Sequence, residues 1–579
     1  MNTFYTDERN VQILISLLKK HNISKMVISP GTTNLTLVAS LQQDDFFEMY
    51  SSADERSAAY MACGLAEESG EPVALSCTGA TASRNYIPAL TEAFYRQLPI
   101  LAITSTQHPG RVGNHFAQVI DRTSQLNDMV KKSVQIPTIH CDEDEWMCNT
   151  RINDALLELR HRGGGPVHIN ISTTYSRNFS VKELPDERLI SRVEYADVFP
   201  QIPKGTIAVY VGSHLPFSDS LTEKLDTFCE KYNAVVLCDW NSNYRGKYRV
   251  YPGVLCYQDK WNTPLAQLDL LIHIGNVSAA SWYLRPKKVW RVNPDGIVRD
   301  TFKKLTCIFE FDEEIFFTKC INQTEDICDH SFYDLWNSEC KRLEEKITDL
   351  PFSNAWIAQN TIPQLPDDIV LHLGILNSMR TWSFFDREDN FRVKAFSNTG
   401  GFGIDGCVSS LIGSSLNSDK LHFGVFGDLA LFYDLNSLAN RHLPANIRII
   451  LVNNGKGTEF RNYNHPAARF GDDADVFMAA AGHYGNKSSE LIKNFVTDLG
   501  FIYISANSKE EYLQNLEMFV SPQKYDKPVF FEVFTNSADE SDAVEYVHNL
   551  EEESQSKVKK AVKAVVGDKV IGKIRDTFK

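Results

Sequence analysis

Short apolar runs ending in polar, glycine-bearing loops recur along this chain, separated by stretches of helical spacing. In the first region Asn10–Lys20 has helical periodicity. Lys25–Ser29 is a short apolar strand ending in Pro30-Gly31. Glu55–Ser69 reads as a helix, Pro72–Cys77 as a strand ending in Thr78-Gly79, and Ile100–Thr104 as another strand. Arg151–Arg160 is helical and Pro166–Ile171 closes the unit. Such repetition predicts an α/β fold, a parallel sheet covered by helices on both faces, with ligands at the carboxyl ends of the strands.

A polar, charged break covers Asn178–Glu194, and a second α/β unit starts near Tyr195. Its strands are Ile207–Val211, Ala234–Cys238 and Leu270–Ile274, with helix Ser218–Lys231 between the first two. The unit ends in Ile308–Phe317 and a charged helical stretch, Ser331–Thr348. The third unit starts near Pro351, with strands at Ile369–Leu373, Arg392–Ser397, His422–Phe426, Ile447–Val452 and Pro528–Val533. It repeats the architecture of the first without a sequence repeat. The expected boundaries are 1–185, 186–350 and 351–548, followed by a tail at 549–579. Three doubly wound parallel-sheet domains suit 579 residues, too many for one core.

Charge and cysteine content narrow the class. A formal net charge of −15 argues against a nucleic-acid partner. The 12 cysteines form no C-x-x-C pair, which points to a reducing compartment and buried thiols. The first residues lack a basic and then apolar leader, and no stretch is apolar enough to span a bilayer. The expectation is a cytoplasmic protein. Only the tail departs: Ser556–Lys579 is basic, with Val558, Val562 and Val565 on one helical face. Either a solvated or subunit-packing helix or one lying on an anionic membrane surface would fit.

The chemistry concentrates at Gly427-Asp428-Leu429 and Asn453-Asn454. Each follows an apolar run that reads as a buried parallel strand. A carboxylate and an amide at neighbouring strand ends are hard oxygen ligands, as Mg²⁺ requires. Between them Ala430–Asn440 reads as a helix starting beside a ligand's diphosphate. The layout resembles the thiamine diphosphate (ThDP) signature Gly-Asp-Gly … Asn-Asn, with Leu429 third. ThDP also needs a carboxylate at its aminopyrimidine ring for proton relay. Glu55, heading a helix rich in small residues, is the candidate; alone, it would read as an acid complementing the helix dipole. Gly401-Phe402-Gly403-Ile404-Asp405-Gly406 formally fits a dinucleotide fingerprint, G-x-G-x-x-G. It lies deep in the chain, and the ThDP reading accounts for it together with Glu55 and Asn454.

Asp54–Ala66, Val73–Asn85, Ile28-Ser29-Pro30-Gly31, Gly403-Ile404-Asp405-Gly406 and Gly427-Asp428-Leu429 running into Tyr433-Asp434-Leu435-Asn436 together resemble the MenD family. These ThDP enzymes of menaquinone synthesis make SEPHCHC by joining decarboxylated 2-oxoglutarate to isochorismate. Leu429 in place of the third glycine is itself a mark of the group. The resemblance is good in the first and third regions and weak in the second. It implies pyrimidine-binding, central and diphosphate-binding domains. Glu55 would activate the cofactor; Asp428, Asn454 and the Lys456 carbonyl would bind Mg²⁺; Ile404 would wedge the cofactor into a bent shape. Pro30, Gly403, Gly427, Leu429 and Ala430 would line the cofactor. The activating glutamate and the metal site come from different subunits in the family, so a homodimer or larger assembly is implied.

The substrate half departs from the family pattern. The family's Ser-Pro-Gly-Ser-Arg-Asn is Ser29-Pro30-Gly31-Thr32-Thr33-Asn34, so Thr33 replaces a substrate-binding arginine. Gln107 and Thr399 stand at two further arginine positions, Ile375-Leu376 replaces an Asn-Ser pair, and Glu459 replaces an apolar residue before Phe460. Arg380 and Gln118 are kept. Buried arginines bind carboxylates bidentately, so these losses weaken dicarboxylate binding. The expectation is 2-oxo acid decarboxylation, with carboligation to an acceptor or protonation to an aldehyde, on small-molecule substrates other than the menaquinone pair. Glu459 could act as an acid/base group or meet substrate hydroxyls, or be a solvated loop carboxylate. Two alternatives stand beside it: SEPHCHC synthase with a divergent pocket, and a catalytically silent scaffold. His115, His422, His442 and His465 are candidates for proton transfer, though packed or surface histidines would look the same.

Overall fold

The computed structural model describes residues 4–259, 263–278, 284–387, 391–482 and 488–551. The basic segment of the tail lies outside them. The chain divides into two compact units, one of Met1–Asp197 with Asp295–Glu310, the other of Val198–Pro294 with Phe311–Lys579.

The first unit holds a six-stranded sheet: β1 (Lys25–Ile28), β2 (Glu48–Ser51), β3 (Val73–Cys77), β4 (Ile100–Thr106), β5 (Lys132–Ile136) and β6 (Val167–Ser172), in the order β2-β1-β3-β4-β6-β5. Every ladder in it is parallel. β3, β4 and β6 are buried at every position, which is why they read as continuous apolar runs. Helices pack on both faces: Val11–Leu18 and Ile152–Leu159 contribute to one core cluster, Ala58–Ala66 and Ala89–Ala93 to the other.

The second unit carries two large groups of parallel strands and a short two-stranded ladder, Gln267–Leu268 with Arg285–Pro286. Strands Arg249–Val250, Ala234–Leu237, Ile207–Val211, Leu270–Ile274 and Val289–Val292 lie side by side in that order, all parallel where their register is described. The third large sheet, again six-stranded, comprises β7 (Ile369–Leu373), β8 (Val393–Phe396), β9 (His422–Gly427), β10 (Ile447–Asn453), β11 (Ile502–Ala506) and β12 (Val529–Phe534). Its order is β8-β7-β9-β10-β12-β11, the topology of the first sheet repeated strand for strand. The shared architecture expected of regions one and three thus extends to identical connectivity.

Two helices differ from the sequence expectation. The one read as Arg151–Arg160 begins at Asp142, because Asp142, Glu143, Asp144 and Glu145 fill its first turn, where acids complement the helix dipole. The one read as Ala430–Asn440 starts at Asp428, ends at Tyr433 and continues as a 3₁₀ segment, Leu435–Ala439. The break falls at Asp434, whose carboxylate turns away to accept from the Ser409 backbone N–H (2.5 Å) and hydroxyl (2.6 Å) and so anchors the neighbouring helix Cys407–Ser415. All 12 cysteines are free, 10 of them buried, as the sequence suggested. Among the described residues no helix is long and apolar enough to cross a membrane.

Candidate active site

The third sheet brings Asp428 and the Asn pair together through register. β9 and β10 run parallel with Gly427 opposite Val452, so the residues that follow each strand emerge side by side at the carboxyl ends. Asp428 is 2% exposed. One of its oxygens accepts from the Leu429 N–H and the other from the Gly455 N–H, both at 2.7 Å. Burial pushes its pKa up to about 6, against the pull of these backbone donors.

Asn454 supplies the complementary group. Its Oδ1 is buried without a hydrogen-bond partner. Its side chain hydrogen-bonds to Glu540, a fully buried carboxylate that also accepts from the Thr535 hydroxyl (2.7 Å) and the Asn354 N–H (3.0 Å). The Asn454 oxygen is thus left without a donor while its side chain favours the ionised form of Glu540. Asn453 is held in the same manner, its Nδ2 donating to buried Glu532 at 2.7 Å, which also accepts from the Tyr503 hydroxyl at 2.9 Å. The Lys456 ammonium group pairs with Asp475 at 2.6 Å, so what this residue can offer a metal is its backbone carbonyl. A desolvated carboxylate and an orphaned amide oxygen fit a hard divalent cation.

The surrounding cofactor candidates lie on the loops of the same unit. Leu429 reaches toward Gly457, where a Cβ would lie 3.3 Å from its Cδ1. Ala430 is buried, Ile404 and Gly403 are half-buried, and Gly406 takes a positive φ of 82° at the head of helix Cys407–Ser415.

Arg380 and Glu459 also meet there. Arg380 lies on helix Asn377–Trp382, and Glu459 on a 3₁₀ turn, Thr458–Arg461. The guanidinium Nη1 donates to Glu459 Oε1, and the Glu459 side chain is only 16% exposed. Glu459 is therefore an internal ion-pair partner and not a solvated loop acid. The pair lines a cavity of about 220 Å³ together with Asn377, Phe384, Asn462 and His548.

In the first unit Asp54 caps the Glu55–Ser69 helix, accepting from the Ser57 N–H at 2.7 Å. Glu55 is half-buried at its first turn. Its charge reaches Cys77 and Tyr86, whose pKa values are raised mainly by burial and further by Glu55. Pro30 and Gln118 are exposed loop residues. Gly31 is forced by space, since a Cβ there would stand 2.2 Å from Thr78 Cβ. Thr33 is 1% exposed; its hydroxyl is 2.9 Å from the Thr78 hydroxyl and accepts from the Gly79 N–H at 2.9 Å. Thr33 ties two loops together at the arginine position. Gln107 Oε1 accepts from Arg111, and Thr399 is buried.

The histidine candidates separate clearly. His422 opens β9 at its amino end, away from the ligand end, with Nδ1 3.0 Å from the Ser414 hydroxyl. His465 Nδ1 accepts from the Ala467 N–H at 3.1 Å. His115 and His442 are exposed. Sequence reasoning missed three groups. Glu540 and Glu532 were hidden because carboxylates behind an Asn pair leave no motif. Arg122, 2% exposed, donates to the Ser105 carbonyl (2.9 Å) and the Ser83 hydroxyl (3.2 Å) and sits in a loop without periodicity; burial pushes its pKa down to about 10.

Residues 9–125 match the family described as thiamine pyrophosphate enzyme, N-terminal TPP binding domain. This match and the curated relatives that follow show that the chain is a ThDP-dependent enzyme. A 2-succinyl-5-enolpyruvyl-6-hydroxy-3-cyclohexene-1-carboxylate (SEPHCHC) synthase from Bacteroides fragilis is 31% identical over 570 residues, covering 94% of this chain and 100% of that protein. One from Phocaeicola vulgatus is 31% identical over 578 residues, covering 95% and 100%. The chain belongs to this family of ThDP- and divalent-metal-dependent, C–C bond-forming enzymes. A solved ThDP-dependent 4-hydroxybenzoylformate decarboxylase from Rhodococcus jostii RHA1 aligns at 14% identity and a TM-score of 0.39, covering 91% of this chain and 99% of that one. The family assignment rests on the curated relatives.

Proposed function

We propose that the protein decarboxylates a 2-oxo acid with ThDP and Mg²⁺, and passes the resulting acyl group to an acceptor or releases it as an aldehyde, on substrates other than 2-oxoglutarate and isochorismate. The observation that carries this reading is the Arg380–Glu459 ion pair. An arginine already neutralised by an internal carboxylate offers little to a substrate's distal carboxylate, which would also meet Glu459 as a like charge. Charge-assisted hydrogen bonds contribute about 1.5–3 kcal/mol each. Thr33 and Gln107 add to the argument, since both are engaged with protein groups where arginines are expected.

Bound ThDP supplies an electron sink for decarboxylation. Asp428 and Asn454, with the Lys456 carbonyl, would hold the metal. Gly403, Gly427, Leu429 and Ala430 would line the cofactor, Ile404 would support its bent shape, and Pro30 would border its pyrimidine ring. Glu55 would hold a proton at that ring. Gln118, Arg380 and Glu459 would face the substrate. A homo-oligomer is part of the reading. Tyr60 (46% exposed) and Met61 (42%) leave large apolar surface on the Glu55 helix, and Val476 (55%) and Phe477 (95%) do so near Asp475, the partner of Lys456. A second copy of the chain is the fitting cover for such surfaces.

SEPHCHC synthesis itself is the second reading, favoured by 31% identity along the full length of enzymes with that name. A panel of 2-oxo acids assayed for ThDP- and Mg²⁺-dependent CO₂ release separates the two. The expected result is turnover of at least one acid without a distal carboxylate, and 2-oxoglutarate at least tenfold poorer in kcat/KM. Preference for 2-oxoglutarate would favour the second reading.

A further inference from the structure

The cavity beside the Arg380–Glu459 pair contains more than a lost carboxylate site. Glu459 and Asn462 are three residues apart on the 3₁₀ turn Thr458–Arg461 and its C-cap, a spacing that stacks side chains on one face. Glu459 Oε1 takes Arg380, while Oε2 is buried with no hydrogen-bond partner. Asn462 is 6% exposed, and its Oδ1 is likewise buried without a partner. Both residues line the cavity. Two acceptors on lining residues thus lack donors, which is unfavourable for buried polar groups.

The walls restrict what can supply those donors. Arg380 and Glu459 cancel in charge. His548 stacks on Tyr257 with ring centroids 5.6 Å apart and planes 10° apart, and Phe384 meets its edge at 6.1 Å. Burial pushes the His548 pKa down to about 4, so it is a neutral ring at pH 7. A carboxylate entering this cavity would meet Glu459 and, among the described lining residues, no uncompensated cation. An ammonium group would meet Arg380 as a like charge. A neutral hydroxyl needs neither charge, donates to an acceptor, and presents its C–H bonds to the aromatic wall. About 220 Å³ equals roughly seven waters at ~30 Å³ each, room for a short chain end.

The cavity is joined to the metal-site residues by a single helix, Ser537–His548. Glu540, Val544 and His548 follow at i, i+4 and i+8, on one face, at about 6 Å of rise per step. The first touches Asn454, and the other two line the cavity.

We propose that this cavity receives a neutral, vicinally dihydroxylated end of the substrate, whose two O–H groups donate to Glu459 Oε2 and Asn462 Oδ1. The inference rests on the reading of the chain as a ThDP enzyme acting on 2-oxo acids, and specifies the class of acid. The test is calorimetry on the ThDP- and Mg²⁺-loaded Glu55→Gln protein, which isolates binding from turnover. The probes are 4,5-dihydroxy-2-oxopentanoate, 2-oxoglutarate and 2-oxopentanoate. The dihydroxy acid is expected to bind at least tenfold more tightly than the other two. Adding Glu459→Gln or Asn462→Leu should remove that preference, and an unchanged circular dichroism spectrum shows each variant still folded. Equal affinities, tightest binding of 2-oxoglutarate, or a preference that survives both substitutions would overturn the inference. CO₂ release by the wild-type protein reports separately: a dihydroxy preference in binding without turnover of any of the three acids would keep the pocket chemistry and refute decarboxylation.

Discussion

Asp428→Ala is expected to weaken combined ThDP and Mg²⁺ binding by at least about 100-fold in calorimetric titration, while the apo protein stays folded. The site requires this asymmetry. In the absence of metal the carboxylate is a desolvated group held by two backbone N–H donors, and burial raises its pKa to about 6. Removing it deletes a desolvated charge along with two hydrogen bonds, terms that largely offset one another. With metal present it is the one carboxylate in the expected donor set, and nothing compensates its loss. Ligand at 100 times its Kd stabilises a protein by about 2.7 kcal/mol, so the rise in melting temperature on adding cofactors should vanish as well. Glu540→Gln provides the graded comparison. It keeps the volume but gives Asn454 an amide where a carboxylate stood. Partners of this kind behind a metal ligand typically control 10–100-fold in affinity, about what calorimetry should record here. Unchanged metal binding in Asp428→Ala would remove this site from the account.

Glu55→Gln should reduce CO₂ release by about 10²–10⁴-fold while ThDP affinity changes only a few-fold. The amide can still hydrogen-bond to a heterocycle but cannot hold the proton that the proposed relay needs. The helix should be unaffected, because its cap is Asp54, accepting from the Ser57 N–H, and not Glu55. Activity within tenfold of wild type would leave Glu55 with only the role of an acid at a helix start.

Much of this architecture could be read from the chain, for a definite physical reason. Parallel strands buried on both faces appear as uninterrupted apolar runs, so β3, β4, β7, β9 and β10 were visible within a residue or two. Of the edge strands of the two six-stranded sheets, β8 was read as Arg392–Ser397, but β2, β5 and β11 were not. Glu48–Ser51 is mostly exposed, and Ile502–Ala506 half-buried, so neither shows the pattern of a central strand. Asp428 and Asn454 could be picked out as candidates because ligands gather at the carboxyl ends of parallel strands, where both residues lie. Glu540 was not, because its helix, Ser537–His548, is rich in acids and carries no signal that one of them points inward. Glu459 shows the limit most clearly. Its sequence context allowed a loop acid or a functional one, and its pairing with Arg380, invisible in the sequence, is what takes it out of the solvent.

That pairing is the hinge between family and function. Relatives with 31% identity are named for SEPHCHC synthesis, while Thr33 and Arg380, at positions expected to meet a dicarboxylate, bond to groups of the protein itself. The most direct test is incubation of the loaded protein with 2-oxoglutarate and isochorismate, following SEPHCHC formation. At about 1.4 kcal/mol per factor of ten, the lost carboxylate contacts predict a rate at least about 100-fold below that of the best 2-oxo acid substrate. SEPHCHC formation at a rate matching that substrate or exceeding it would contradict the account.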